Sequence, residues 1–335
     1  MKRTVKLILV AFAAVLSICS CNEKKARHAL LPNISGKAGE IVVVIDKANW
    51  EGIAGNALRD SLACETPYLP QKEPLFSLVN VPQAAFTSMF QVHRNIIVMN
   101  ISPSVTEPGI VYKKDVWARP QTVININAPD AETAVTLIEK NSADIVATIE
   151  QAERDRIIAN TKRYEELKLA SVVNEMAGGS PHFPSGYQLK KKTSDFIWIE
   201  YAIQYVTQGI LIYKYPVVEG ENMMDLDNIL ANTNEVLMNN VPGMFDNTYM
   251  TTSSFLRPSI EYKRYKGLEF AEIRGFWEVV NDFMGGPFVS HAFYSKDGKE
   301  VIVLQAFVYA PKYDKRQYLR QVESVIYSFE WAKEK

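Results

Sequence analysis

Met176-Ala177-Gly178-Gly179-Ser180-Pro181 separates two patterns of hydrophobicity, and the change between them decides the fold class. Adjacent glycines and a proline end helices and interrupt strands, so a boundary falls here. Upstream, near-continuous apolar runs alternate with helical spacing, the pattern of parallel strands and crossover helices. Downstream, strands follow one another across tight turns, the pattern of an antiparallel sheet. The predicted class is α+β, with an N-terminal α/β domain over 36–175 and a C-terminal antiparallel α+β domain over 181–335.

Working back from the boundary, Asp130 to about Leu169 contains no Gly or Pro, and Asp130 after Pro129 makes a sound N-cap for one long helix. A break near Asn141-Ser142 would halve it. Further back, Glu40-Ile41-Val42-Val43-Val44-Ile45-Asp46 is a β-branched run that implies burial on both faces. Trp50–Ala63 follows with helical spacing, then a strand (Phe76–Val81), a helix (Gln83–Val92) and a strand (Asn95–Ile101), a β-α-β-α-β start. An extended stretch continues through Val123–Ile126.

Forward of the boundary, Tyr187–Lys191, Phe196–Tyr201 and Ile210–Val218 read as strands. A helix starts at Asp225 or Asp227 and stops before Pro242-Gly243. Lys266-Gly267 joins Tyr262–Tyr265 to Leu268–Trp277, and Asp297-Gly298 joins Phe288–Tyr294 to Val301–Tyr309 as a type I′ hairpin. A last amphipathic helix runs from Tyr313 to Phe329. The expectation is about six antiparallel strands with two helices packed on them.

The first residues carry an address. Lys2, Arg3 and Lys6 precede an apolar run from Leu7 to Ile18, too short to span a bilayer, and Ile18-Cys19-Ser20-Cys21 fits a bacterial lipobox. Residues 1–20 are predicted to be a lipoprotein signal peptide, Cys21 the lipidated residue, and 21–35 a tether. Several acyl chains on Cys21 suffice for stable attachment to a membrane. Without residues 1–20 the chain has 34 basic against 38 acidic side chains, so no nucleic-acid partner is expected. Of the three cysteines, Cys19 leaves with the signal and Cys21 is acylated; Cys64 remains alone and is expected to be a small buried hydrophobe.

No complete catalytic constellation is visible. His28, His93, His182 and His291 have no ligand partner at metal spacing, and no phosphate-cradling glycine loop follows the first strand, so neither metal nor cofactor is expected. Ser180 and His182, with Asp195, look like a nucleophile, base and orienter, but Pro181 between them favours plain loop chemistry. The segment Arg274–Pro287 is richest in groups that bind. Arg274, Trp277, Glu278, Gly285 and Gly286, with His291, are the predicted ligand- or partner-binding residues. The competing reading makes Phe276 and Trp277 core aromatics and Gly285-Gly286-Pro287 a turn. The leading functional reading is a non-catalytic binding or assembly module of the envelope. The alternative is a periplasmic hydrolase of glycans or peptides whose two carboxylates meet only in the fold.

Gly36-Lys-Ala-Gly-Glu-Ile-Val-Val-Val-Ile-Asp-Lys-Ala-Asn-Trp50 and the stretch from Arg274 to Ser290 resemble a lipoprotein family of Bacteroidota, domain-of-unknown-function family 4837, over nearly all of the chain after the signal. The resemblance implies a Gram-negative envelope setting and brings no catalytic residues. The order of elements after Pro181 also resembles the PsbP and Mog1 type of α-β-α sandwich. In such bacteria surface display goes with acidic residues after the lipidated cysteine. Here Asn22-Glu23-Lys24-Lys25-Ala26-Arg27 is mostly basic, so the resemblance implies an outer-membrane anchor facing the periplasm, with an envelope protein or a peptidoglycan-related partner.

Overall fold

The structure, a computed structural model, describes residues 30–333. The predicted signal peptide and the lipidation site Cys21 lie outside the described residues. The described chain divides into two compact units: the residues up to Cys64 with Phe76–Ala152, and Glu65–Leu75 with the residues from Glu153 onward.

The first unit is a five-stranded mixed sheet. Strands β1 (Glu40–Val44), β2 (Ser77–Val81), β3 (Asn95–Ile101) and β5 (Thr122–Ala128) are parallel; β4 (Gly109–Lys114), which has no clear sequence signal, lies antiparallel on β5. Their order is β2-β1-β3-β5-β4. As the β-branched run demanded, Ile41 to Ile45 are buried without a break, each side chain contributing roughly 1.5–3 kcal/mol. One face packs Val42, Val44, Ile96 and Val123 beneath Phe86, Phe90 and Trp117.

The helices of this unit depart from expectation. The first is split by the extended Gly52 into α1 (Lys47–Glu51) and α2 (Ile53–Leu62), and Gln83–Val92 contracts to one 3-10 turn and the four-residue α3 (Ser88–Gln91). The tether ends earlier than predicted. Ile34 N–H donates to the Arg119 carbonyl and Ser35 N–H to that of Val92, which binds the end of residues 21–35 to the folded body. Cys64 is exposed, not buried, because α2 ends at Leu62 and turns its last apolar contact inward there.

Helix α4 (Ala131–Arg163) starts where Asp130 accepts the Thr133 N–H at 2.7 Å. Asn141 and Ser142 bond back to the carbonyls of Leu137 and Glu139 without breaking it; the interruption comes at 164–166, before α5 (Leu167–Ala177). Gly178, with φ +66°, caps α5 through its N–H to the Asn174 carbonyl. The two glycines therefore end a helix, while the division between units falls at Ala152/Glu153. Ile158, Leu169, Val173, Met176 and Ala177 explain this: all pack in the core of the second unit.

The second unit holds an eight-stranded antiparallel sheet in the order β10-β12-β13-β14-β9-β8-β7, with β11 also paired to β12. The strands are β7 (Gln188–Lys192), β8 (Phe196–Ile203), β9 (Val206–Pro216), β10 (Met250–Thr252), β11 (Ser259–Tyr265), β12 (Leu268–Val279), β13 (Gly285–Tyr294) and β14 (Glu300–Tyr309). Sequence reading counted about six, because β10 and parts of the edges are short. A two-stranded ladder pairs β6 (Gly179–Ser180) with β15 (Glu330–Trp331).

Helices cover both faces of the large sheet. On one face α5 and α7 (Arg316–Tyr327) pack with Leu319, Val322, Val325 and Ile326 inward; on the other, α6 (Leu226–Asn240) packs with Leu226, Ile229 and Leu237 inward. Segment Glu65–Leu75 belongs here because it caps α7. The Glu73 carboxylate accepts the N–H groups of Lys315 and Arg316 at 2.6 and 2.9 Å, supplying acceptors to a helix start that lacks a local cap.

Candidate functional site

The β11–β12 hairpin turns at Lys266-Gly267, whose φ values of +48° and +86° fit the type I′ geometry that suits twisted strands. Beyond the turn, β12 alternates. Phe270, Glu272 and Arg274 face α7, while Ala271, Ile273 and Trp277 face α6. Between the hairpin turn, β13 and the end of α7 lies a cleft of about 250 Å³, lined by Tyr265, Phe270, Tyr327, Phe329 and Trp331, with Lys266, Glu330 and His291 as its charged or titratable groups.

His291 is 1% exposed. Its ring stacks on Phe270 at 4.0 Å and meets the edge of Tyr327 at 4.5 Å. Nε2 approaches Glu272 Oε2 at 3.4 Å without hydrogen-bond geometry. Burial outweighs the neighbouring carboxylates and holds the imidazole below its ordinary range, so the ring is neutral.

Behind His291 runs a buried ionic network. Glu272 Oε1 accepts from Lys263 Nζ at 2.6 Å and Arg274 Nε at 2.8 Å, and Oε2 accepts from the Tyr327 hydroxyl at 2.5 Å. Glu323 Oε1 accepts from Arg274 Nη2 at 2.7 Å and Arg154 Nη2 at 2.9 Å. The Arg154 guanidinium also lies 3.6 Å over the Tyr327 ring. Burial opposes ionisation of both glutamates, but the cations prevail: Arg274 and Lys263 hold Glu272 well below the usual carboxylate range, and Arg274 and Arg154 hold Glu323 below it. Burial and the adjoining carboxylates push the Tyr327 hydroxyl up, so it stays a donor.

The predicted binding residues are thus dispersed. His291 lines the cleft and Arg274 ties the network behind it, on one face of the sheet. Trp277 lies on the opposite face, 3% exposed, with its Nε1–H donating to the Val308 carbonyl at 3.3 Å. Arg274 and Trp277 therefore cannot grip one ligand together. A Cβ on Gly286 would stand 2.1 Å from the Val308 carbonyl oxygen, and one on Gly285 would stand 2.7 Å from Phe276; both glycines admit neighbouring protein atoms. Glu278 is half-buried at the far end of β12 and does not reach the cleft. Sequence reading missed Glu272, Glu323, Arg154 and Tyr327. The signal for Glu272 was an acidic residue on the inward phase of an apolar strand, beside Arg274 two residues on.

The remaining candidates have structural partners. Ser180 Oγ donates to the Pro181 carbonyl at 2.7 Å, His182 sits 2.8 Å from Glu165, and Asp195 accepts from Thr193 in the β7–β8 turn, so no triad forms. His93 lies 3.3 Å from Glu40 in the first unit. Among the described residues no three His, Cys, Asp or Glu side chains are placed to share a metal ion, and no helix is long and apolar enough to cross a membrane.

Comparison with known proteins divides the chain in two. Residues 166–328 match DUF4837, a domain of unknown function, and residues 34–162 match DUF8532, also a domain of unknown function. The expected resemblance to DUF4837 is thus found over 166–328, while Gly36–Trp50 lies in the stretch that matches the DUF8532 model. No curated protein matches the chain. Partial structural likeness extends to LpqN of Mycobacterium tuberculosis, involved in cell envelope biogenesis, with 15% identity over 43% of this chain and 76% of that one, TM-score 0.27. A Bacteroides thetaiotaomicron protein shows 11% identity over 48% of each chain, TM-score 0.21. The human StarD13 lipid transfer and protein localization domain shows 9% over 43% and 89%, TM-score 0.23.

Proposed function

We propose that this chain is a lipid-anchored module of the cell envelope, held through Cys21 at the periplasmic face of the outer membrane, whose second unit binds a ligand or partner without transforming it. The observation that carries the binding reading is the state of the two buried glutamates. Glycoside and peptide hydrolysis by paired carboxyls needs one carboxyl kept protonated near neutral pH by a raised pKa. Glu272 and Glu323 are both pushed the other way and are bonded to Arg274, Arg154 and Lys263. Their charge builds a rigid floor and is not available as an acid. Above it the aromatic cleft fits one flat group, such as a sugar ring or an aromatic side chain of an envelope partner. The anchor rests on the cationic start, the short apolar run and the lipobox.

Two measurements test the two halves. Metabolic labelling with a fatty-acid analogue is expected to mark the wild type and not Cys21→Ala; label kept by the variant removes the anchor. Crosslinking in intact envelopes is expected to recover a partner with the wild type and not with Leu268→Trp, which enlarges a residue that also lines the cleft and so fills it. Equal recovery at equal melting temperature removes the cleft.

A further inference from the structure

Away from the cleft, two turns leave one end of the large sheet side by side. Val280 N–H donates to the Tyr249 carbonyl, which pins the β12–β13 turn to the loop that precedes β10. Both turns are internally braced. Gly243 N–H donates to the Thr248 carbonyl, the Thr248 hydroxyl donates to the Phe245 carbonyl at 2.6 Å, and Phe283 N–H donates to Asp282 Oδ1 at 2.6 Å. Yet these turns present apolar side chains outward: Met244 is 76% exposed, Phe245 67% and Phe283 106%. Braced backbone with large apolar side chains held in water is an arrangement that costs solubility and suits a preorganised contact.

Within 239–256 and 275–295 the charged side chains, Asp246, Glu278 and Asp282, are all acidic, with no Lys or Arg in either stretch. Lys191 donates to the Asn240 carbonyl at 3.1 Å, at the end of α6 ahead of the first turn. Insertion into a membrane surface favours basic flanks, and bacterial lipid carries negative charge, so the acidic border argues against a bilayer. We infer that the Met244, Phe245 and Phe283 tip docks into an apolar pocket bordered by lysine or arginine on a partner protein. The aromatic side chains supply the buried anchors and the acidic border supplies orientation and the choice of partner.

The test places the photoreactive amino acid p-benzoylphenylalanine at position 283 of the full chain in its own cells, with the crosslinked peptide identified by mass spectrometry. The expected result is an adduct to another protein, at an apolar pocket with Lys or Arg at its rim. Its yield should fall about tenfold in Phe245→Ser and in Asp246→Lys combined with Asp282→Asn, with unchanged melting temperature. Asn at 282 keeps an acceptor for the Phe283 N–H. Leu268→Trp should leave this adduct in place, so the cleft and the tip fail separately. An adduct to phospholipid, to a second copy of this chain or to an acidic surface overturns the inference. So does an adduct indifferent to the charge changes, or none.

Discussion

The two faces of strand β12 differ by one residue in sequence and by everything in chemistry. Toward α6 lie Ala271, Ile273 and Trp277, in a core whose polar atoms are few: the Tyr213 hydroxyl lies 2.9 Å from Thr233 Oγ1 and 3.0 Å from Gln305 Oε1. Toward α7 lie Glu272 and Arg274, in a network of two carboxylates and three cations beneath a cleft. An apolar face can tolerate imperfect partners, because each contact is non-directional. A buried ionic face tolerates none, since every group left unpaired carries its full desolvation cost. The α6 face is thus expected to yield gradually to substitution, and the α7 face to fail when one member is removed.

The largest expected effect is Glu272→Leu, which takes the acceptor from Arg274 Nε and from the Tyr327 hydroxyl and should cost on the order of 5 kcal/mol in chemical denaturation. Adding Arg274→Met should recover part of that loss, because Glu323 keeps Arg154 and Lys263 keeps Glu261 at 2.9 Å. Additive losses would show that the two residues act as separate packing elements. Trp277→Ala on the other face should cost about 4 kcal/mol through cavity formation, with no rescue by a charge change. If it melts like the wild type, the α6 face is not a core.

Acid separates the faces more finely. His291 is held below its ordinary value of 6.5, so the unfolded chain binds its proton first and stability falls as pH drops below that value, by no more than about 1.4 kcal/mol per pH unit. Glu272 and Glu323 are depressed from 4.5, so their contribution is present above that value and is lost as pH falls further. His291→Phe should flatten the upper part of the melting profile and leave the lower part; an unchanged upper part would show that the ring titrates freely. The smallest expected effect is Tyr213→Phe, about 1 kcal/mol from the lost hydroxyl, read by the same denaturation curves. A larger loss would place a specific polar network on the face described here as forgiving.

Period and turn chemistry made much of the fold legible. Glu40 to Val44, Asn95 to Ile101 and the hairpin at Lys266-Gly267 were readable because local residues alone set strand burial and turn conformation; at Asp297-Gly298 the hairpin was readable but its turn is not the expected type I′, since Gly298, at φ +72°, is left-handed and Asp297 is not. Alternation along β12 by itself separates Arg274 from Trp277, three residues on and so on the opposite face. The split at Gly52, the edge strand β4 and the contraction of Gln83–Val92 were not legible, since each depends on what packs against a short segment.

By itself the sequence determined the α+β class, the order of most elements, and an apolar content able to bury two cores. Only the tertiary structure decided where the units divide, because Leu169 and Val173 before the glycines find their partners on strands after them. It alone joined Glu73 to the start of α7 and gathered Arg154, Lys263, Glu272, Arg274 and Glu323 into one network, across separations of up to 243 residues for the first and 169 for the second. Hydrophobic period is a property of neighbours along the chain and can be read from them. Charge pairing is a property of neighbours in space, with no period to mark it, and exists only once the strands and helices that carry those residues have packed.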